Sequence, residues 1–248
     1  MKNPIYKINN LKCKENGKTI LDIKKLEIHR GSCYVFYGDI GSGKTTLINF
    51  LTKDRKISSD IINYEMEDLS TISHSNYKKD VYSISQKIDS PWFGVSVNDY
   101  ILKKIKSYKH LSDPKRKASE IIRKMGLSKY LKRNFKELSP GEKRWIELAV
   151  SIAADTKVLF IDGFGQYLGD DKINSLSRIL YRKINYDGVT VIIGTHIREK
   201  LSKIASVFIK LDSGRIISVR SRKKKPYNQS NSKSSSKNPN GRKKTYKK

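Results

Sequence analysis

"CYVFYGDIGSGKTTLINFL", Cys33–Leu51, decides how the rest of this chain is read. "CYVFYG" (Cys33–Gly38) has the pattern of a short buried strand. A glycine-rich loop follows, and "TTLINFL" then has the character of a helix start. The loop, Gly38–Thr45, fits G-x-x-x-x-G-K-[ST], in the strand-to-helix setting that gives this pattern its meaning. Glycines let consecutive backbone N–H groups turn inward and form an anion nest, and the helix N-terminus adds the positive end of its dipole. The candidate phosphate cradle is Gly38, Asp39, Gly41, Ser42, Gly43, Lys44, Thr45 and Thr46. In it Lys44 reaches the β- and γ-phosphates of a nucleotide, and the Thr45 hydroxyl is a Mg²⁺ ligand.

Outward from this loop the chain alternates strand and helix signals. Near the N-terminus, "IYKINNLKC" and "KLEIHRG" alternate apolar and polar residues on either side of an "ENGK" turn at Glu15–Lys18. "VYSISQ" (Val81–Gln86) is a further strand candidate, and residues 96–133 carry lysine-rich helical patterns. "GEKRWIELAVSIAAD" (Gly141–Asp155) has apolar residues at helical spacing. "KVLFID" and "VTVIIG" are continuous apolar runs of the kind that parallel strands covered on both faces require. "SVFIKLDSGRIISV" predicts a hairpin around Asp212–Gly214.

Composition narrows the class. A length of 248 residues fits one large α/β domain or two small ones. No apolar run reaches 18 residues, so no membrane span is expected, and "MKNPIYKINNLK" lacks the apolar core of a signal peptide. The two cysteines, Cys13 and Cys33, have no metal-ligand spacing and are too few for a disulfide framework, which favours a reducing compartment. The net charge is +28, and residues 221–248 carry 11 Lys/Arg with no acid. The other 220 residues hold 41 basic and 24 acidic side chains. Such a field attracts nucleic acid, anionic lipid or acidic protein surfaces. It also fits a lysine-rich chain with a solvated arm. The tail, rich in Lys, Ser, Asn and Pro, has almost nothing to bury and is expected to be disordered.

Three more motifs follow in order. "LSPGE" (Leu138–Glu142) precedes a helix and ends 20 residues before Asp162; Gln86 follows a strand; His196 closes "IIGTH". Together with the phosphate loop these resemble the signature, Q-loop and switch histidine of ATP-binding cassette (ABC) ATPases, over residues 5–219. The resemblance implies an α/β fold: a P-loop NTPase core with a mainly parallel sheet, an N-terminal antiparallel β subdomain and a small helical subdomain near 90–140. One ATP-binding domain over 1–220 and a basic tail over 221–248 follow from it. It also implies two cassettes, identical or different, that sandwich two ATP molecules head to tail. Ser139 and Gly141 would then serve the partner's site. Asp162 would hold Mg²⁺ through water, Gln86 would touch the metal and sense a separate transmembrane permease, and His196 would contact the γ-phosphate. Such a subunit sits in the cytoplasm, peripheral on the inner face of a membrane.

The departures from the pattern are local. In "LFIDGFGQYLGDD" (Leu159–Asp171), Gly163 stands where the family carries a catalytic glutamate, the general base that polarises the attacking water. Gly169 stands where the D-loop aspartate is expected, with Asp170 as a candidate substitute. Pro140 and Glu142 replace a glycine and a glutamine of the signature; proline is well tolerated at a first helical turn. The adenine-stacking aromatic falls near Glu15, which cannot stack, with Tyr6 as a distant substitute. The expected function is therefore the ATP-binding subunit of an ABC transporter with weak or absent hydrolysis at its own site. Two alternatives stand beside it: a nucleic-acid- or ribosome-associated ATPase using the basic tail, and a non-hydrolysing ATP-dependent regulator.

Overall fold

A computed structural model describes residues 3–88 and 94–222. The expected disorder of the tail therefore lies, from 223 onward, outside the described residues.

Two sheets organise the chain. The first is antiparallel, in the order β2-β1-β4-β5: β1 (Tyr6–Glu15), β2 (Lys18–Ile28), β4 (Ile62–Tyr64) and β5 (Glu67–Asp68). Asn16 and Gly17 close the β1–β2 hairpin with φ of 48° and 75°, the left-handed pair that matches the twist of the flanking strands. The second sheet runs β10-β9-β3-β8-β7-β6: β3 (Cys33–Tyr37), β6 (Val81–Ile84), β7 (Val158–Asp162), β8 (Thr190–Thr195), β9 (Val207–Asp212) and β10 (Arg215–Ser221). Five of these strands are parallel, and only the β9–β10 hairpin at the edge is antiparallel.

The apolar runs are explained by burial on both faces of this sheet. In β3, Cys33 and Val35 face one core while Tyr34 and Phe36 face the other; Leu159 and Ile161 of β7 oppose Val158 and Phe160 in the same way. One core lies with the antiparallel sheet and α1 (Lys44–Leu51). The other is filled by α3 (Val97–Lys106), α4 (Pro114–Lys124), α5 (Pro140–Ala153) and α6 (Asp170–Asn185). A short helix α2 (His74–Asp80) leads into β6. The fold is thus the expected α/β arrangement, with a mainly parallel sheet, an N-terminal antiparallel sheet and a small helical part.

Four elements carry no sequence expectation: β4, β5, α2 and α6. The first three are short and depend on their neighbours. Tyr77 of α2, for example, is buried against Tyr6, and its hydroxyl bonds Leu51 O and Tyr6 Oη. The proposed role of Tyr6 as a base-stacking aromatic is corrected here. Its side chain is fully buried in the core between the sheets, with its ring against Tyr64 and Phe160, so no face is left for a ligand. Glu15 is engaged with Arg55 at 2.5 Å.

Candidate nucleotide site

The carboxyl ends of β3, β8, β7 and β6 lie side by side, where open α/β sheets place their ligands. β3 leads into the phosphate loop, β6 into Gln86, β7 ends at Asp162 and β8 leads into His196. Four motifs far apart in sequence therefore meet because their strands are neighbours.

Side-chain hydrogen bonds bind the four together. Thr45 Oγ1 donates to Asp162 Oδ2 at 2.6 Å. Gln86 Nε2 lies 3.3 Å from Thr45 Oγ1 and 3.4 Å from Asp162 Oδ1. His196 Nδ1 lies 3.0 Å from Gly38 O; a carbonyl only accepts, so Nδ1 carries the proton. Lys44 Nζ donates to Gly38 O (2.8 Å), Asp39 O (2.7 Å) and Ser42 Oγ (3.0 Å). Burial lowers the Lys44 ammonium pKa, and the nearby Asp162 and Asp39 carboxylates oppose that. Gly41 and Gly43, with φ of 81° and 96°, give the loop its inward turn, and α1 begins directly after Gly43. Thr46 follows in the first turn of α1, half-buried.

A hydroxyl, a carboxylate and an amide converge at Thr45, Asp162 and Gln86. That is a hard, oxygen-bearing donor set once the Gln86 amide is turned to present Oε1. Mg²⁺ suits such a set, since it takes one or two protein oxygens and completes its shell with phosphate oxygens and water. Among the described residues no group of three or more His, Cys, Asp or Glu side chains offers a metal cage. Bound there, Mg²⁺ neutralises phosphate charge; Thr45 and Asp162 are the residues that would hold it.

Two supports of this corner were not anticipated. Gly194 of β8 pairs with Asp162 of β7, and a Cβ on it would stand 2.4 Å from Asp162 Oδ1. The carboxylate thus needs glycine beneath it. Arg144 of α5 is 1% exposed. Its guanidinium donates to Ser85 O at 2.6 Å, to Asp162 O, and to Gly163 O at 3.5 Å. One buried arginine therefore fastens the residue before Gln86 to the residues at the end of β7. The visible signal was a charge on the buried face of a helix, in register with Leu148 and Ser151.

Ser139 and Gly141 stand apart from this cluster, at the N-terminus of α5. Ser139 caps the helix: its Oγ accepts from Glu142 N at 3.3 Å, and its own N–H donates to Glu142 Oε2 at 2.8 Å. A Cβ on Gly141 would lie 2.5 Å from Tyr167 O, so that glycine is also required by packing against the turn after β7. Among the described residues no hydrogen bond joins Ser139 or Gly141 to the phosphate loop. Asp170, the candidate substitute for the D-loop aspartate, is exposed and pairs with Lys200. A groove of about 890 Å³ beside α6 is lined by Arg178, Tyr181, Lys203 and others and shares no residue with this cluster.

The family model described as ABC transporter matches residues 21–163, more than half of the chain. The chain belongs to the ABC transporter family. It carries a single nucleotide-binding domain of that family. It is 26% identical over 213 residues to the lantibiotic transport ATP-binding protein SrtF of Streptococcus pyogenes, covering 86% of this chain and 89% of that protein. It is 26% identical over 234 residues to the energy-coupling factor transporter ATP-binding protein EcfA2 of Mycoplasma pneumoniae, covering 88% and 77%. Its fold is shared with cbiO1 of Clostridium perfringens, part of an ABC transporter complex, at a TM-score of 0.75 with 21% identity, covering 88% of each chain. It is shared also with a dimeric ATP-binding cassette in a post-hydrolysis state bound to ADP and Pi, at a TM-score of 0.76 with 18% identity, covering 87% and 98%.

Proposed function

We propose that this chain is the ATP-binding subunit of an ABC transporter. It binds Mg-ATP at an interface with a second cassette and drives a separate membrane permease, with impaired hydrolysis at its own site. The observation that carries this reading is the convergence of Thr45, Asp162 and Gln86 beside the phosphate loop, with Gly163 next in sequence. Binding is served by every group in that set; water activation is not, because glycine has no base to offer. The pairing with a second cassette is supported by three exposed apolar side chains on separate loops of the site. Ile40 of the phosphate loop is 91% exposed, and Tyr167 after β7 and Ile197 beside His196 are exposed too. Ser139 and Gly141 are then the groups this chain lends to the partner's nucleotide. Among the described residues no helix is long and apolar enough to cross a membrane, which agrees with a permease on another chain.

Equilibrium binding of ATP with Mg²⁺ tests the reading first. Lys44→Ala is expected to weaken ATP affinity at least tenfold, about 1.4 kcal/mol, because it removes the only side-chain cation in the cradle. Co-purification with a multi-span membrane protein tests the class. ATP affinity indifferent to Lys44→Ala would refute it. A nucleic-acid-associated ATPase is favoured instead by salt-dependent RNA or DNA binding that disappears on deleting 221–248, given the 11 basic and no acidic residues there.

A further inference from the structure

The turn after β7 contains a second irregularity besides the missing glutamate. Gly163 adopts φ +70° and Gly165 φ +87°, and Gln166 N donates to Gly163 O at 3.1 Å. Phe164 is buried and anchors the turn: its N–H donates to Gly194 O at 3.0 Å, and its carbonyl accepts from Thr195 Oγ1 at 3.2 Å. This tight loop folds the Gln166 side chain back over Gly163. A Cβ at Gly163 would lie 2.5 Å from Gln166 Oε1, 2.9 Å from its Cδ and 3.0 Å from Gln86 Cγ. The Gln166 amide therefore occupies the space from which a side chain at 163 would grow. The same space is bordered by Gln86, whose Nε2 reaches Thr45 and Asp162. Gln166 Oε1 is also a buried oxygen that accepts no hydrogen bond among the described residues. A buried acceptor is normally satisfied, so this oxygen has acceptor capacity that the described residues leave unused.

We propose that Gln166 is a catalytic residue that positions the attacking water in place of the absent glutamate. This rests on the reading of the site as a nucleotide site. An amide cannot take up a proton, but Oε1 accepts from water while Nε2 donates, which orients a nucleophile without deprotonating it. Glutamine serves that purpose in other nucleotide hydrolases. In the step, the water oxygen forms a bond to the γ-phosphorus and the bond to the β–γ bridging oxygen breaks. ADP and inorganic phosphate leave, and the water's proton passes to a phosphate oxygen, since no side chain of the turn can hold it. Hydrolysis at this site is slow and lacks the pH dependence of a carboxylate base.

Single-turnover hydrolysis of Mg-ATP by excess full-length protein, with ATP affinity measured in parallel, tests this. The unaltered chain is expected to hydrolyse slowly but above Lys44→Ala, with no rise in rate through the carboxylate range. Gln166→Ala is expected to lower the rate at least tenfold with ATP affinity kept within about twofold. Gln166→Glu is expected to hydrolyse with a rate that rises with pH through the carboxylate range, a signature that a purely structural role does not produce. Gln166→Ala hydrolysing at the unaltered rate overturns the proposal while leaving the nucleotide site standing. So does an unaltered chain that binds ATP yet turns over no faster than Lys44→Ala. Failure to bind ATP overturns both.

Discussion

Restoring the family's glutamate by Gly163→Glu would destabilise the protein, and the structure sets the size of the loss. At φ +70° an L-residue pays about 1–2 kcal/mol for the left-handed conformation. The new Cβ meets Gln166 Oε1 at 2.5 Å, a distance that only a shift can relieve. The Gln166 amide is the far end of a flexible side chain, so its displacement costs about 1 kcal/mol in rotamer strain. The sum is about 2–3 kcal/mol, and for a domain of this size that is a Tm fall of roughly 5–10 °C. Gly163→Ala carries the left-handed backbone and the Cβ contact without the carboxylate. Ordinarily Gly→Ala stabilises by about 0.4–1 kcal/mol through the unfolded chain; here the left-handed strain reverses the sign. Combining either change with Gln166→Ala returns the steric part, a coupling of about 1 kcal/mol in a double-mutant cycle. Thermal and urea denaturation of the unaltered chain, the three single variants and the two double variants measures each value. A Gly163→Ala protein as stable as the unaltered chain would show that the turn is not left-handed, and the reasoning about the displaced amide would fall with it.

Other outcomes follow from the same corner. Arg144→Met should cost about 3 kcal/mol or more by urea denaturation, because it leaves the buried Asp162 carbonyl, and that of Ser85, without their donor; Arg144→Lys should not restore them, since one ammonium cannot span both. The Ser139 N–H, and Arg133 beside it, hold the Glu142 carboxyl below the usual carboxylate range. A depressed carboxylate contributes stability above its unfolded pKa of about 4.3 and loses it as pH falls through the lower folded value. The advantage of the unaltered chain over Glu142→Gln should therefore shrink below about pH 4, as read by denaturation at stepped pH.

The fold was legible where one face or two had to be buried. The runs Val158–Ile161 and Val191–Ile193 are apolar throughout because both faces of β7 and β8 are covered. The periodicity of Gly141–Asp155 gave α5 to within a residue or two. Helix α6 was hidden behind the interest of the motif before it, although Ile173, Leu176, Leu180 and Ile184 recur at helical spacing and Asp170 and Asp171 open it. Strands β4 and β5 are too short for any period to show, and the pairing of β4 with β1 is a non-local choice.

At the site, sequence alone determined which chemical groups were present: a phosphate cradle, one carboxylate at the end of an apolar strand, a glutamine, a histidine, and no glutamate at 163. Those follow from residue type and local spacing, which a linear chain displays. The tertiary structure decided what each group touches. It placed Thr45, Gln86 and Asp162 within hydrogen-bond reach because β3, β8, β7 and β6 lie side by side. It committed Asp170 to Lys200, buried Tyr6 beyond use, and put Arg144 and Gly194 behind the carboxylate. It also turned Gln166 into the space that Gly163 leaves open. No spacing in the chain shows that placement, because it depends on two left-handed glycines and an anchored phenylalanine acting together in three dimensions.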